Sequence, residues 1–241
     1  MRRSVVLNTV AGLVFAGPVA ARPLVVFIGE STTWGVSSRP VTHWKFGRTI
    51  IPPQQHLAAL LGRAPRDCPW RKARVLNYAL PETVTGIWSR GEPGVYCSLL
   101  GRGFNPALDV ACARKVPVGM VLNEVIAKRH GRRPDLFLLT MGTNDSTLPG
   151  VTPELTVDNI EALVNLLTPV RVLVSPPLPR TFPPPPDWPD RVRAVELARG
   201  LVTGPDFHRY PLPLYEGFHE TDGGYAAFAG YWFDALCPTP F

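Results

Sequence analysis

The sequence predicts an α/β fold built on a parallel sheet of about five strands. Three observations point there. Short, unbroken apolar runs recur along the chain, as expected for strands covered on both faces. Stretches with apolar residues at helical spacing lie between them. The sequence pattern continues across the two longest irregular stretches, so one domain accounts for the chain. Its 241 residues are 45% hydrophobic and only 18% charged, which excludes a disordered polyelectrolyte. The 28 prolines and 21 glycines call for long, stiff loops.

The elements follow in order. Met1-Arg2-Arg3 is a short basic region, and Ser4 to Ala16 is mostly apolar but shorter than the ~20 residues a membrane span needs. Gly17-Pro18 breaks any helix, and Val19-Ala20-Ala21 supplies small residues for cleavage. Residues 1–21 therefore read as a signal peptide and 22–241 as the exported domain, secreted or periplasmic. A buried first strand or helix is the competing reading. Arg2-Arg3 also hints at twin-arginine export. Cleavage removes two Arg and no acid, lowering the formal charge from +6 to +4. No other stretch is apolar for long enough to span a membrane.

Leu24 to Ile28 is the first strand. Pro52 to Gly62 is a helix with proline near its start. Arg74 to Tyr78 is the second strand, Val118 to Lys128 a helix, and Asp135 to Met141 the third strand. Pro153 to Leu167 is a helix with Thr152 as N-cap and Glu154 in its first turn. Val170 to Ser175 is the fourth strand, Asp187 to Arg199 a further helix, and Leu201 to Thr203 a short fifth strand. Trp88–Pro117, Gly-rich and bearing two cysteines, and Pro176–Pro189, with four consecutive prolines, read as ordered surface-loop insertions.

Cys68, Cys97, Cys112 and Cys237 contain no C-x-x-C pair, which argues against a zinc ribbon or a thioredoxin-like site. In an exported chain an even count implies disulfides, and four cysteines allow three pairings. Cys97 with Cys112 closes a short loop and is expected first; Cys68 with Cys237 then follows. The basic clusters Arg63–Arg74 and Lys128–Arg133 fall where helices end before strands, where cations suit the helix dipole. No nucleic-acid motif accompanies them, so nucleic acid is not expected as a partner. No metal-ligand cluster or phosphate loop is visible, and no cofactor is called for.

Ligands of open α/β sheets bind outside the carboxyl ends of the strands. After the first strand comes Gly29-Glu30-Ser31-Thr32-Thr33-Trp34-Gly35. Asn77 ends the second, followed by Pro81-Glu82-Thr83. Gly142-Thr143-Asn144-Asp145 follows the third, and Glu216-Gly217-Phe218-His219 comes late. A hydroxyl, amides, a histidine and a carboxylate at one sheet edge are the parts of an acyl-transfer site. In their order and spacing these segments resemble the four blocks of the SGNH (GDSL) hydrolase family, over nearly all of the chain from Phe27 to about Ala229. Gly224 lies five residues after His219, as in the family's last block. The G-x-S-x-G of ordinary α/β-hydrolases is absent.

The resemblance implies a three-layer α/β/α sandwich around a mainly parallel, flavodoxin-like sheet. It implies a serine esterase that cleaves a carboxylic (acyl or acetyl) ester through a covalent acyl-enzyme, with a small molecule, a lipid or a polysaccharide ester as substrate. Ser31 is then the nucleophile, His219 the base and Glu216 the orienting acid. Ser31 N–H, the Asn144 amide and the backbone N–H of Glu82 are the oxyanion donors. Trp34, Tyr78 and Phe218 are expected to line the substrate pocket. The chain departs from the family in three places. Glu30 and Glu216 stand where aspartate is usual, and Glu82 stands where the family has a glycine. Asp222 and Asp206 are the alternative acids. O-acyl transfer at the same site, and non-catalytic carbohydrate or lipid binding on the same fold, are the competing functions. His43, His56, His130 and His208 have no comparable context and are expected to be structural or exposed.

Overall fold

The computed structural model describes residues 21–30, 41–42, 49–91, 93–99, 103, 105–179, 187–209, 212, 214–215 and 219–238. Four parallel strands form its sheet: β1 (Leu24–Gly29), β4 (Arg74–Asn77), β5 (Leu136–Thr140) and β6 (Arg171–Ser175). Two short antiparallel ladders stand apart, β2 (Val41–Thr42) with β3 (Thr49–Ile50), and β7 (Leu214–Tyr215) with β8 (His219–Glu220). The helices are α1 (Pro53–Arg63), α2 (Thr85–Ser89), α3 (Gly94–Leu99), α4 (Pro106–Arg114), α5 (Val118–His130), α6 (Pro153–Leu167), α7 (Trp188–Ala198) and α8 (Asp222–Leu236).

The strand order is β4-β1-β5-β6. The chain builds outward from β1 to one side and then returns to build on the other. This is the flavodoxin-like arrangement, and its reversal at β1 and β5 opens a crevice at their carboxyl ends. The expected fifth strand at Leu201–Thr203 is reduced to one parallel bridge, Val202 with Val174. The run before Gly204 is too short to extend a ladder.

Alternation along the strands divides the core into two layers. Leu24, Val26, Ile28, Phe137 and Leu139 face α4, α5 and α6. Val25, Phe27, Leu136, Leu138 and Leu173 face α1 and α8. All five residues of β5 and all six of β1 are buried, so neither strand carries a polar alternation. Each fully buried Leu, Val or Phe contributes roughly 1.5–3 kcal/mol. Helix α8 closes the second layer through Phe228 and Trp232, whose rings lie 5.9 and 6.1 Å from that of Phe27.

The expected helices at α1, α5, α6 and α7 all form, and Thr152 caps α6 by accepting the Leu155 N–H at 3.2 Å. Two regions differ. Most of the described part of Trp88–Pro117 is helical rather than loop: α2 ends there, and α3 and α4 lie within it, α4 capped by Asn105, which accepts the Ala107 N–H. Helix α8 was not anticipated at all. Both cysteine pairs form as expected, Cys97–Cys112 between α3 and α4 and Cys68–Cys237 between the α1–β4 connection and the end of α8.

Candidate active site

The loops after β1, β5 and β4 are joined by buried side-chain hydrogen bonds at the carboxyl edge of the sheet. Glu30 directly follows β1 and is 1% exposed. One carboxylate oxygen accepts the Thr143 N–H and the other the Asn144 N–H, both at 3.2 Å. These N–H groups open the 3-10 turn Asn144–Thr147, where a carboxylate suits the exposed donors. Gly142 precedes them at φ +112°, and a Cβ there would lie 3.0 Å from the Thr156 methyl. Its carbonyl accepts the Trp188 indole N–H at 2.8 Å.

From this fixed loop Asn144 donates one amide N–H to the Thr83 carbonyl at 3.0 Å. Thr83 is itself held, its hydroxyl donating to the Leu80 carbonyl and accepting the Trp88 indole N–H. Asp145 points the other way, into the start of α2. It is 1% exposed and accepts the N–H and hydroxyl of Thr85 and, at 3.4 Å, the hydroxyl of Thr156. Burial pushes the Asp145 carboxyl up to about 6, and the Glu30 charge adds to this against the Thr85 hydrogen bonds. Tyr96 of α3 lies near the same group. Burial, above all, raises its phenol, and the charges of Asp145 and Glu82 act in the same direction.

Glu82 sits at φ +59°, in the left-handed region that favours glycine. A glutamate thus carries a backbone conformation that glycine favours, with its side chain exposed. Asn77 shapes the same loop: its carbonyl oxygen accepts the Ala79 N–H, and its amide donates to Gln54 at the start of α1.

The remaining expected residues divide. Ser31, Trp34, Glu216 and Phe218 lie outside the described residues. For His219 only the strand pairing is described: it stands opposite Tyr215 across the β7–β8 ladder. The ladder leads within two residues to Thr221, the N-cap of α8, which accepts the Gly224 N–H at 3.0 Å. Asp222 in turn accepts the Ile51 N–H at 3.0 Å, just before α1. Since the start of α1 also binds Asn77 at the end of β4, α8 begins at the carboxyl edge too.

Tyr78 is corrected from a pocket residue to a core residue. The extended chain of β4 continues to Leu80, with Tyr78 N–H on Phe27 and Leu80 N–H on Gly29. Alternation then turns Tyr78 and Leu80 toward the α5 layer, and the Tyr78 hydroxyl meets His130 Nε2 at 3.2 Å. The other described histidine side chains are also engaged away from the motif loops. His208 lies between Asp190 and the Pro177 carbonyl, and His56 lies 3.7 Å from Asp222. The alternative acids are committed as well, Asp206 to Arg193 at 2.6 and 2.8 Å, Asp222 to Ile51.

Thr85 and Thr156 support the site but gave no signal in the sequence, and Trp188 stood out there only as an aromatic near the motif loops. Their hydrogen bonds reach Asp145 from 60 and 11 residues away and the Gly142 carbonyl from 46, which leaves no local pattern.

No protein-family model matches the chain, and no curated protein matches its sequence. Solved structures do match. A lipase/acylhydrolase from Enterococcus faecalis is 18% identical with a TM-score of 0.52, covering 91% of this chain and 100% of that one. A protein assigned to the G-D-S-L lipolytic family from Desulfitobacterium hafniense is 15% identical with a TM-score of 0.51, covering 88% and 98%. A catalytic mutant of an acetylxylan esterase from Geobacillus stearothermophilus is 16% identical with a TM-score of 0.54, covering 90% and 95%. Catalytic mutants of that esterase replace a serine, an aspartate and a histidine, the last two spaced three residues apart. With this strand order, this layering and these neighbours, the chain has the fold of the G-D-S-L (SGNH) hydrolases.

Proposed function

We propose that the protein is an exported serine esterase that hydrolyses a carboxylic ester through a Ser31–His219–Glu216 triad. One observation carries the reading. The Glu30 carboxylate next to Ser31 clamps the two backbone N–H groups that position Asn144, and Asn144 clamps the loop of Glu82. The residue that precedes the nucleophile candidate in sequence, an oxyanion-donor candidate and the loop of a second thus belong to one hydrogen-bonded unit at the strand ends. A protein that only binds a ligand has no need of this arrangement. The spacing of Glu216 and His219 equals that of the aspartate and histidine in the acetylxylan esterase mutants. The engagement of Asp206 and Asp222 elsewhere favours Glu216 as the acid. Two disulfides, with no free cysteine among the described residues, support an oxidising compartment.

In this mechanism His219 takes the Ser31 proton as the oxygen attacks the ester carbonyl. Glu216 holds the imidazole and stabilises its positive charge. The second amide N–H of Asn144 and the N–H groups of Ser31 and Glu82 receive the developing oxyanion. One such donor is worth ~10²–10³ in rate. His219 returns its proton to the leaving alcohol, and water then releases the acyl group by the same steps in reverse. The substrate is a small-molecule, lipid or polysaccharide ester.

The test is hydrolysis of an aryl acetate by the purified protein beside Ser31→Ala and His219→Ala. Each substitution is expected to remove nearly all activity without changing the fold. The double variant should be little worse than either single one, because the residues act as a unit. Glu216→Gln is expected to lower kcat by roughly 10²–10⁴. Activity is expected to fall as His219 becomes protonated, near an ordinary value of ~6.5. A Ser31→Ala protein with wild-type activity overturns the assignment.

A further inference from the structure

Among the described residues, a cluster of cations lies at the edge of the sheet opposite the candidate site. Arg63 and Arg66 follow the end of α1, and Arg74 opens β4. Lys128 and Arg129 close α5, and Arg133 follows before β5. All six are exposed. Helix ends favour cations, which accounts for Arg63, Lys128 and Arg129. It does not account for Arg66, Arg74 or Arg133, which lie on turns and at a strand start.

The two groups form one surface. Arg74 is paired with Leu24 across β4 and β1, and Arg132 donates to the Arg22 carbonyl at 2.8 Å, just before β1. Between them lies His130, which burial, above all, and the charges of both Arg74 and Arg129 hold below its ordinary value. The described acids near these cations are Asp67, Glu124, Asp135 and Asp234; Glu124 is bound by Arg114, and Asp135 by Arg132 and the Leu24 N–H. Six exposed cations against few acids leave this edge net positive, which complements anionic headgroups, and no nucleic-acid motif accompanies the basic residues.

We propose that the amino edge of the sheet is a docking face for an anionic lipid surface, holding the domain with its carboxyl edge turned outward. The strands separate the two edges by about 17 Å. The phosphate headgroups would then be bound by exposed guanidinium and ammonium groups. The ester presented to the carboxyl edge would come from the solution side and not from the lipid beneath the domain.

The purified protein should co-sediment with vesicles of phosphatidylcholine containing phosphatidylglycerol, but not with phosphatidylcholine alone, and added salt should release it. Each neutralised cation is expected to weaken partitioning about fivefold, so Arg63→Gln with Arg129→Gln should cost about 25-fold. A matched pair on the far side, Lys115→Gln with Arg191→Gln, carries the same net charge and should retain most of the binding. Unfolding temperature is measured for each variant, so that a misfolded protein is not scored as a weak binder. Equal losses from the two pairs would overturn the proposal, showing a response to net charge alone. So would failure to bind anionic vesicles at low salt, or displacement from them by heparin or duplex DNA at equal charge. None of these readouts depends on esterase activity.

Discussion

Glu82 shows how a residue can depart from a motif while keeping its conformation. A left-handed backbone costs an L-residue roughly 1–2 kcal/mol, and glycine gives back about half of that gain as lost chain entropy. Glu82→Gly is therefore expected to stabilise the protein by up to about 1 kcal/mol in urea unfolding, with ester hydrolysis intact. Loss of activity in that variant would show that the carboxylate itself matters. Glu30 is the opposite case, since its chemistry does the positioning. Glu30→Gln replaces one acceptor with a donor and leaves a buried N–H of the 143–144 pair unmatched, at a cost of about 1–3 kcal/mol. The expected kinetic result is a fall in kcat with little change in KM, because the oxyanion donor moves and the pocket does not. Glu30 and Asn144 were legible as members of short local motifs, but the two hydrogen bonds by which Glu30 holds the 143–144 turn were not. Tyr78 was misread because a strand end seen in the sequence does not tell where the extended backbone stops.

Elements were legible where one physical rule dominated. The central strands, buried on both faces, read as unbroken apolar runs, and α6 carried both its spacing and its cap. Helix α8 escaped notice because Asp222–Leu236 opens with two glycines and is apolar nearly all round, so no stripe stands out. It is held by packing rather than propensity. Phe228→Ala is accordingly expected to cost about 3–5 kcal/mol, measured by thermal or urea unfolding. The insertion at α2–α4 consists of short helices that are marginal alone and depend on local anchors. Cys97–Cys112 spans 15 residues, and replacing both by serine should cost about 3 kcal/mol. That double variant should also weaken substrate binding if Tyr96 borders the pocket, whereas a purely structural tie would leave KM unchanged.

At the scale of the molecule, two buried carboxyls with no cation beside them among the described residues weigh on the response to pH. Asp145 is pushed up to about 6 and Glu196 to about 8, in both cases mainly by burial. Glu196 is 0% exposed and neither of its oxygens has a hydrogen-bond partner among the described residues. Because their folded values are raised, their contribution is fully present below the ordinary carboxyl range. It is lost as pH rises, through about 6 for Asp145 and about 8 for Glu196. The unfolding temperature is therefore expected to fall from about pH 5 to about pH 8.5, and Glu196→Gln should flatten the upper part of that decline. An unchanged slope in the variant would show that Glu196 is not responsible. Nothing of this pH response was legible in the sequence, since Glu196 sits in an amphipathic helix like any solvated glutamate.

The packing of α8 on β1 also sets a timetable. The first strand made is covered on one side by the last helix made, and Cys68 waits 169 residues for Cys237. At ~5–20 residues per second that interval is roughly 10–30 s. Throughout it Phe27 has α1 beside it but lacks the Phe228 and Trp232 rings that later cover it. The Cys68–Cys237 bond can therefore form only once α8 has been made, which makes it a marker that the second core layer is complete.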